Sequence, residues 1–135
     1  MTKSFEDIQK IIEEYEREFL DTFNGFSRLD VIDLTKVILK AIYENRKIFI
    51  CGNGGSASLS QHFATDIGNG TLSRLGVGAK IFDLTSNASV LTSIANDQNF
   101  QNLFSTQLSL LAEKNDLLIV ISSSGNSNNI LNAIE

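Results

Sequence analysis

The sequence predicts an α/β fold, a three-layer parallel sheet with helices on both faces, preceded by an N-terminal helical pair. Three observations carry that prediction. Lys47-Ile48-Phe49-Ile50-Cys51 and Leu117-Leu118-Ile119-Val120-Ile121 are apolar in succession rather than in alternation, the mark of strands covered on both faces. Each run enters a loop rich in glycine or serine, Cys51-Gly52-Asn53-Gly54-Gly55-Ser56 and Ser122-Ser123-Ser124-Gly125-Asn126-Ser127, and then a stretch of helical period. This strand–loop–helix order occurs twice. The length of 135 residues, with 42% hydrophobic and 20% charged side chains, fits one soluble domain with a sizeable core.

The elements follow in order. Phe5, Ile8, Ile12, Tyr15 and Phe19 step by three and four, an apolar stripe on a helix from about Ser4 to Phe23. Asn24-Gly25 breaks it. A second helix covers Leu29 to Asn45, with Ile32, Val37, Ile38, Ala41 and Ile42 as its core face. These two helices come before any strand; their stripes suit either an ordinary core face against the sheet or a subunit interface. The strand at Lys47–Cys51 leads to a helix over Ser56–Ile67. A loop holding Gly68, Gly70, Gly76 and Gly78 then reaches a strand at Lys80–Leu84. Helices follow at Ser89–Ala95 and Asn99–Glu113, then the strand Leu117–Ile121 and a last helix from near Asn126. Residues 1–45 are thus read as N-terminal helices and 46–135 as the α/β core of a single domain. The final segment, Ile130 to Glu135, opens a helix without finishing it, so the chain is expected to be a fragment truncated at its C-terminus.

The composition excludes some partners. A net charge of −5 argues against nucleic acid, whose phosphates are met with basic faces. No apolar run approaches the ~18 residues needed to span a bilayer, and no charged-then-apolar leader opens the chain. A cytoplasmic location is expected, in keeping with the single cysteine, Cys51.

Both loops fall at the carboxyl edge of the sheet, where open α/β folds bind ligands. In the first, the glycines permit close backbone approach to a ligand, and Ser56 is placed to cap the following helix. The same residues would serve a tight turn with a capping serine, and neither a dinucleotide fingerprint nor a Walker loop is present. The second loop is sharper. Ser122, Ser123, Ser124 and Ser127 set four hydroxyls at a helix start, a combination suited to a phosphate monoester without any lysine or arginine. Between the loops lies Gln61-His62-Phe63-Ala64-Thr65-Asp66. On a helix, His62 and Asp66 share one face, as would a general base beside a second polar group, two ligands of a metal, or a plain exposed pair. Asn96-Asp97 ends a further helical stretch, where a turn or capping role is the simplest reading.

The order G-N-G-G-S, Q-H-F-A-x-D, A-N-D and S-x-S-G-N-S resembles the SIS (sugar isomerase) domain, a flavodoxin-like architecture, and within it the phosphoheptose (sedoheptulose 7-phosphate) isomerases. The resemblance implies that Asn53, Gly54 and Gly55 contact the sugar and that Ser56 opens the helix beneath it. It implies that Ser122, Ser123, Ser124 and Ser127 hold the phosphate, and that Asn96 and Asp97 line the substrate site. His62 would correspond to a ligand of the zinc found in some members, with Asp66 beside it, and the assembly would be a homotetramer with sites shared between subunits. Asp66 stands where the family pattern has glutamate, the base that moves a proton between the carbons of an enediol. Aspartate is one methylene shorter. The family's partner acid is a histidine further along, beyond Glu135, together with a glutamine.

Two functions follow from different classes. One is an aldose–ketose isomerase acting on a sedoheptulose 7-phosphate-like substrate through an enediol, in the supply of polysaccharide precursors. The other is a non-catalytic SIS module that binds a phosphosugar or a protein partner and regulates; the exchange of glutamate for Asp66 favours it. A nucleotide-binding Rossmann domain ranks third, for want of a fingerprint.

Overall fold

A computed structural model describes residues 5–135. The chain divides into two compact units, 1–35 and 36–135. The first contains helix α1 (Phe5–Gly25) and the start of α2 (Arg28–Tyr43). Ser4, the expected first helical residue, lies outside the described residues. Ser27 caps α2, its Oγ accepting the Asp30 backbone N–H at 3.2 Å, as capping requires of an orphan first-turn donor. The α1 stripe forms as its period predicts, and within its own unit no residue of α1 is buried. Phe5 is 81% and Phe19 59% exposed. The aromatic side chains pack along the helix instead, with Phe19 and Phe23 ring centres 6.5 Å apart and Phe23 and Phe26 5.6 Å apart.

The second unit is an α/β layer structure around a three-stranded parallel sheet in the order β2-β1-β3, formed by β1 (Lys47–Gly52), β2 (Lys80–Asp83) and β3 (Leu117–Ile121). β1 is central, and Ile48, Phe49, Ile50 and Cys51 are buried without a break, which is why that run is apolar in succession. Alternate residues serve opposite faces. Ile48 packs with Ile38, Ala41 and Ile42 of α2, with Phe63 and Ile67 of α3 (Gly55–Leu75) beside them. Phe49 and Cys51 pack with Ile94 of α4 (Ala88–Asp97), Leu103, Phe104 and Ile130. A single 3-10 turn at Phe100–Asn102, α5 (Ser105–Leu111) and α6 (Asn128–Ile134) complete this second layer. Ile32 and Val37, expected in the α2 core face, are half exposed, while Ile38, Ala41 and Ile42 in the carboxyl-terminal turns of α2 pack on the sheet.

Three boundaries depart from the sequence reading. α3 does not end at Ile67 but runs through Gly68 and Gly70 to Leu75. Each interior glycine costs a helix about 1 kcal/mol, yet packing overrides propensity here. A Cβ at Gly68 would sit 3.5 Å from the Ile81 methyl, and Thr71 Oγ1 donates to the Ile67 carbonyl and accepts the Ala79 N–H, tying this turn to the entry of β2. The helix stops at Gly76, whose left-handed residue returns its N–H to the Leu72 carbonyl. The helix read over Asn99–Glu113 is split, because Leu103 and Phe104 turn into the core between the 3-10 turn and α5. The last helix starts at Asn128 rather than Asn126, since Gly125 takes a φ of +66°. Among the described residues, no helix is long and apolar enough to cross a membrane.

Candidate functional site

β1 and β3 are adjacent and parallel, with Gly52 opposite Ile121 in the register. Their loops therefore leave the sheet side by side. The first turns tightly. Gly52 is packed against the start of α3, and a Cβ there would fall 2.7 Å from the Ser56 backbone. Gly54 has φ +55° and is the N-cap of α3, with no side-chain cap. Ser56 is thus not the N-cap that the sequence suggests; it lies in the first turn, where its N–H donates to the Asn53 carbonyl and its own carbonyl accepts the Ser60 hydroxyl. The positive φ of Gly54 starts the helix two residues early. Without a capping side chain, the positive end of a 21-residue helix is directed at the carboxyl edge.

The serine loop turns on its own hydroxyls. Ser122 Oγ accepts the Gly125 N–H at 3.0 Å, and Ser124 Oγ accepts the Asn126 N–H at 3.3 Å. Ser123 and Ser124 are exposed, Ser122 and Ser127 half-buried. Ser127 is the N-cap residue of α6 but makes no side-chain capping bond, so its hydroxyl is not committed to the helix start.

The glycine loop is joined to the first turn of α6, just past the serine loop, by a contact that the sequence does not announce. Asn53 Nδ2 donates to Asn129 Oδ1 at 2.9 Å, and Asn129 Nδ2 donates back to Asn53 Oδ1 at 2.8 Å. Asn129 is only 2% exposed. A signal was present: Asn129 sits beside Ile130 and Ala133 on the core face of α6, and an asparagine in an apolar stripe needs a polar partner.

His62 and Asp66 lie on α3 as predicted, with His62 Nε2 3.2 Å from Asp66 Oδ2 and the side chains 76% and 66% exposed. This is an ion pair when the imidazole is protonated. As a metal centre the pair is short of donors. Among the described residues no three His, Cys, Asp or Glu side chains cluster to hold a metal ion, whereas catalytic zinc takes three protein ligands. Asn96 and Asp97 close α4, where Asp97 accepts from Ser93 and from the Asn96 amide; these bonds stay within the helix end and do not reach the two loops. At the end of β2, Asp83 accepts both the backbone N–H and the hydroxyl of Thr85, a second polar cluster the motifs did not single out. Beneath the site, burial pushes the Cys51 thiol up to about 12, and the nearby Asp83 charge adds to the effect.

This geometry can be set beside known proteins. The phosphoheptose isomerase of Helicobacter pylori strain HPAG1 is 48% identical over 98 residues, which are 72% of this chain and 50% of that protein. That of Campylobacter concisus strain 13826 is 36% identical over 128 residues, 95% of this chain and 66% of that protein. The chain thus spans about half the length of the Helicobacter pylori relative it matches. Among solved structures, the phosphoheptose isomerase from Neisseria gonorrhoeae aligns with a TM-score of 0.82 at 30% identity, covering 94% of this chain and 67% of that one. The phosphoheptose isomerase from Francisella tularensis aligns at 0.83 and 26% identity, covering 98% and 69%. The family model described as SIS domain matches residues 13–135, and the chain belongs to the SIS domain family.

Proposed function

We propose that the complete protein is an aldose–ketose isomerase acting on a sedoheptulose 7-phosphate-like sugar phosphate, in polysaccharide precursor synthesis. The observation that carries this reading is the tie, through Asn53 and Asn129, between the glycine loop and the helix start that follows the serine loop at one sheet edge, in a chain whose relatives are phosphoheptose isomerases. In this reading the hydroxyls of Ser122, Ser123, Ser124 and Ser127 take the phosphate, with the uncapped first turn of α3 adding fixed positive potential. Asn53, Gly54, Gly55 and Ser56 meet the sugar, and Asn96 and Asp97 complete its surroundings.

The chemistry needs a base, an acid and support for an enediolate. Asp66 removes a proton from C1 of the ketose, the electron pair moves to form the C1–C2 enediolate, O2 gains a proton while the C1 hydroxyl gives one up, and return of a proton from Asp66 to C2 gives the aldose. The acid that serves the carbonyl oxygen is assigned, by resemblance, to a histidine beyond Glu135. Zinc is a separate proposal: His62 and Asp66 offer two donors of the right chemistry, the set needs a third from outside the described residues, and no step above runs through the metal. A cytoplasmic homotetramer with the exposed α1 stripe in its interface completes the reading.

The test is solvent deuterium incorporation into sedoheptulose 7-phosphate, followed by NMR with and without zinc. Exchange at C1 that disappears in Asp66→Asn supports the isomerase with Asp66 as base. The alternative is a regulatory module that binds the phosphosugar, or a protein partner, without turnover; the exposure of Asp66 to water favours it. Saturable binding of the same sugar phosphate with no exchange would establish it.

A further inference from the structure

The Asn53–Asn129 contact is a closed ring of two amides, each giving one N–H and receiving one. It spans 76 positions of sequence and joins the loop after β1 to the first turn of α6. Among the described residues, the other buried polar side chains bond to backbone: Ser60 to the Ser56 carbonyl, Thr71 to the Ile67 carbonyl, Gln107 to the carbonyls of Leu84 and Leu103. The Ser60 and Thr71 bonds stay within α3, and Gln107 ties α5 to the backbone just after β2. Asn129 instead holds the side chain of a half-buried residue, Asn53, at the edge where the ligand loops meet. A single asparagine has two donors and two lone pairs on oxygen, so after pairing, Asn53 keeps one donor and one acceptor for a ligand, aimed in a fixed direction.

We propose that Asn129 is a positioning residue that fixes the glycine loop against the serine loop through Asn53, so that the sugar and phosphate ends of one ligand are met at one spacing. The proposal rests on the phosphosugar reading above and deepens it. The pairing works only if each partner offers both a donor and an acceptor. A carboxylate at position 129 would accept from Asn53 Nδ2 but set oxygen against oxygen on the other side. A protonated carboxyl would restore the ring, because it has the same shape with one O–H and one C=O. A buried carboxyl also protonates above its ordinary range, which brings that restoration within reach of mild acid.

Affinities for sedoheptulose 7-phosphate and for inorganic phosphate are measured by calorimetry on the full chain, for the unsubstituted protein and Asn129→Asp, at about pH 8 and about pH 5. Inorganic phosphate takes its hydrogen bonds from the serine loop, with α3 adding only its fixed potential, whereas the sugar phosphate also needs the side chain of Asn53 and the glycine loop. At the higher pH, Asn129→Asp is expected to lose on the order of tenfold in affinity for the sugar phosphate, with inorganic phosphate held within about threefold. At the lower pH the loss is expected to vanish, each value being taken relative to the unsubstituted protein at that pH. In an Asn53→Ala background, Asn129→Asp should add nothing further. Equal loss of both ligands would mean damage to α6 or direct charge repulsion, and would overturn the proposal. So would unchanged sugar-phosphate affinity, or failure of Asn129→Asp to fold at either pH, which would give Asn129 a purely structural role. Absence of saturable sugar-phosphate binding by the unsubstituted protein would instead sink the phosphosugar reading, and this inference with it.

Discussion

Gly52 and Ser56 are in contact at backbone range: a Cβ on Gly52 would lie 2.7 Å from the Ser56 carbonyl carbon and oxygen and 2.8 Å from its Cβ. The end of β1 and the first turn of α3 are therefore pressed together, with no flexible side chain able to give way. Gly52→Ala is expected to cost about 1–3 kcal/mol as overpacking, read as a lowered urea midpoint at unchanged slope. Because relief must come from the glycine loop itself, sugar-phosphate affinity should fall as well. A variant with parental midpoint and parental affinity would show that the contact is loose.

Asp116 plays a matching role at the opposite edge of the sheet. Its carboxylate accepts the Lys47 N–H at 2.9 Å and the Glu113 N–H at 2.8 Å, so one side chain fixes the turn that follows α5 and holds the start of β1 beside the entry to β3. Its side chain is 9% exposed. Asp116→Ala leaves those two N–H groups without their acceptor and is expected to destabilise by about 1–3 kcal/mol, in chemical unfolding. Since the ligand loops lie at the other ends of these strands, ligand affinity in the folded variant should stay within about threefold of the parent.

His62 and Asp66 separate function from stability. The pair is exposed, and exposed i, i+4 pairs contribute only about 0.3–0.5 kcal/mol. Asp66→Asn is therefore expected to unfold at nearly the parental midpoint while abolishing deuterium exchange. The family pattern carries glutamate at this position, and a 1 Å displacement of a catalytic group can change a rate about hundredfold. Asp66→Glu should then raise the exchange rate, by up to about that factor. A fall in rate would mean that the shorter side chain is fitted to its own substrate geometry.

How far the sequence reveals this molecule depends on whether a signal is local. β1 was legible because a strand covered on both faces must be apolar in succession, as Ile48 to Cys51 are; β3 carries the same kind of run, but as an edge strand its residues are half-buried rather than fully buried. The loops followed from glycine and serine chemistry at strand ends. The continuation of α3 through Gly68 and Gly70 was not legible, because it depends on Ile81 and Ala79, residues that the fold brings alongside. The α1 stripe was visible as a period, but its period cannot say whether the apolar face is met by the same chain. Asn129 shows the limit most directly: its partner lies 76 positions away, and only the pairing of β1 with β3 brings the two amides together.

Cys51 gives the pH dependence a defined sign. Its thiol is buried near the carboxyl end of β1, and its pKa rises from 9.0 to about 12 through desolvation first and the Asp83 charge second. Below pH 9.0 the thiol is protonated in both the folded and unfolded chains, and its contribution to stability is fully present. Between 9.0 and about 12 the unfolded chain releases the proton while the folded chain keeps it. The folded state then binds more protons, and stability falls as pH rises. Cys51→Ala removes this titration but leaves a cavity, so it should be less stable than the parent at about pH 8. The gap in urea midpoint should narrow by about pH 10.5, as the parent alone bears the thiol's ionisation. Other groups that titrate in this range are common to both proteins and leave the difference unchanged. A gap that stays constant with pH would show that the folded thiol ionises as freely as the unfolded one, and that the strand end beneath the glycine loop is open to water.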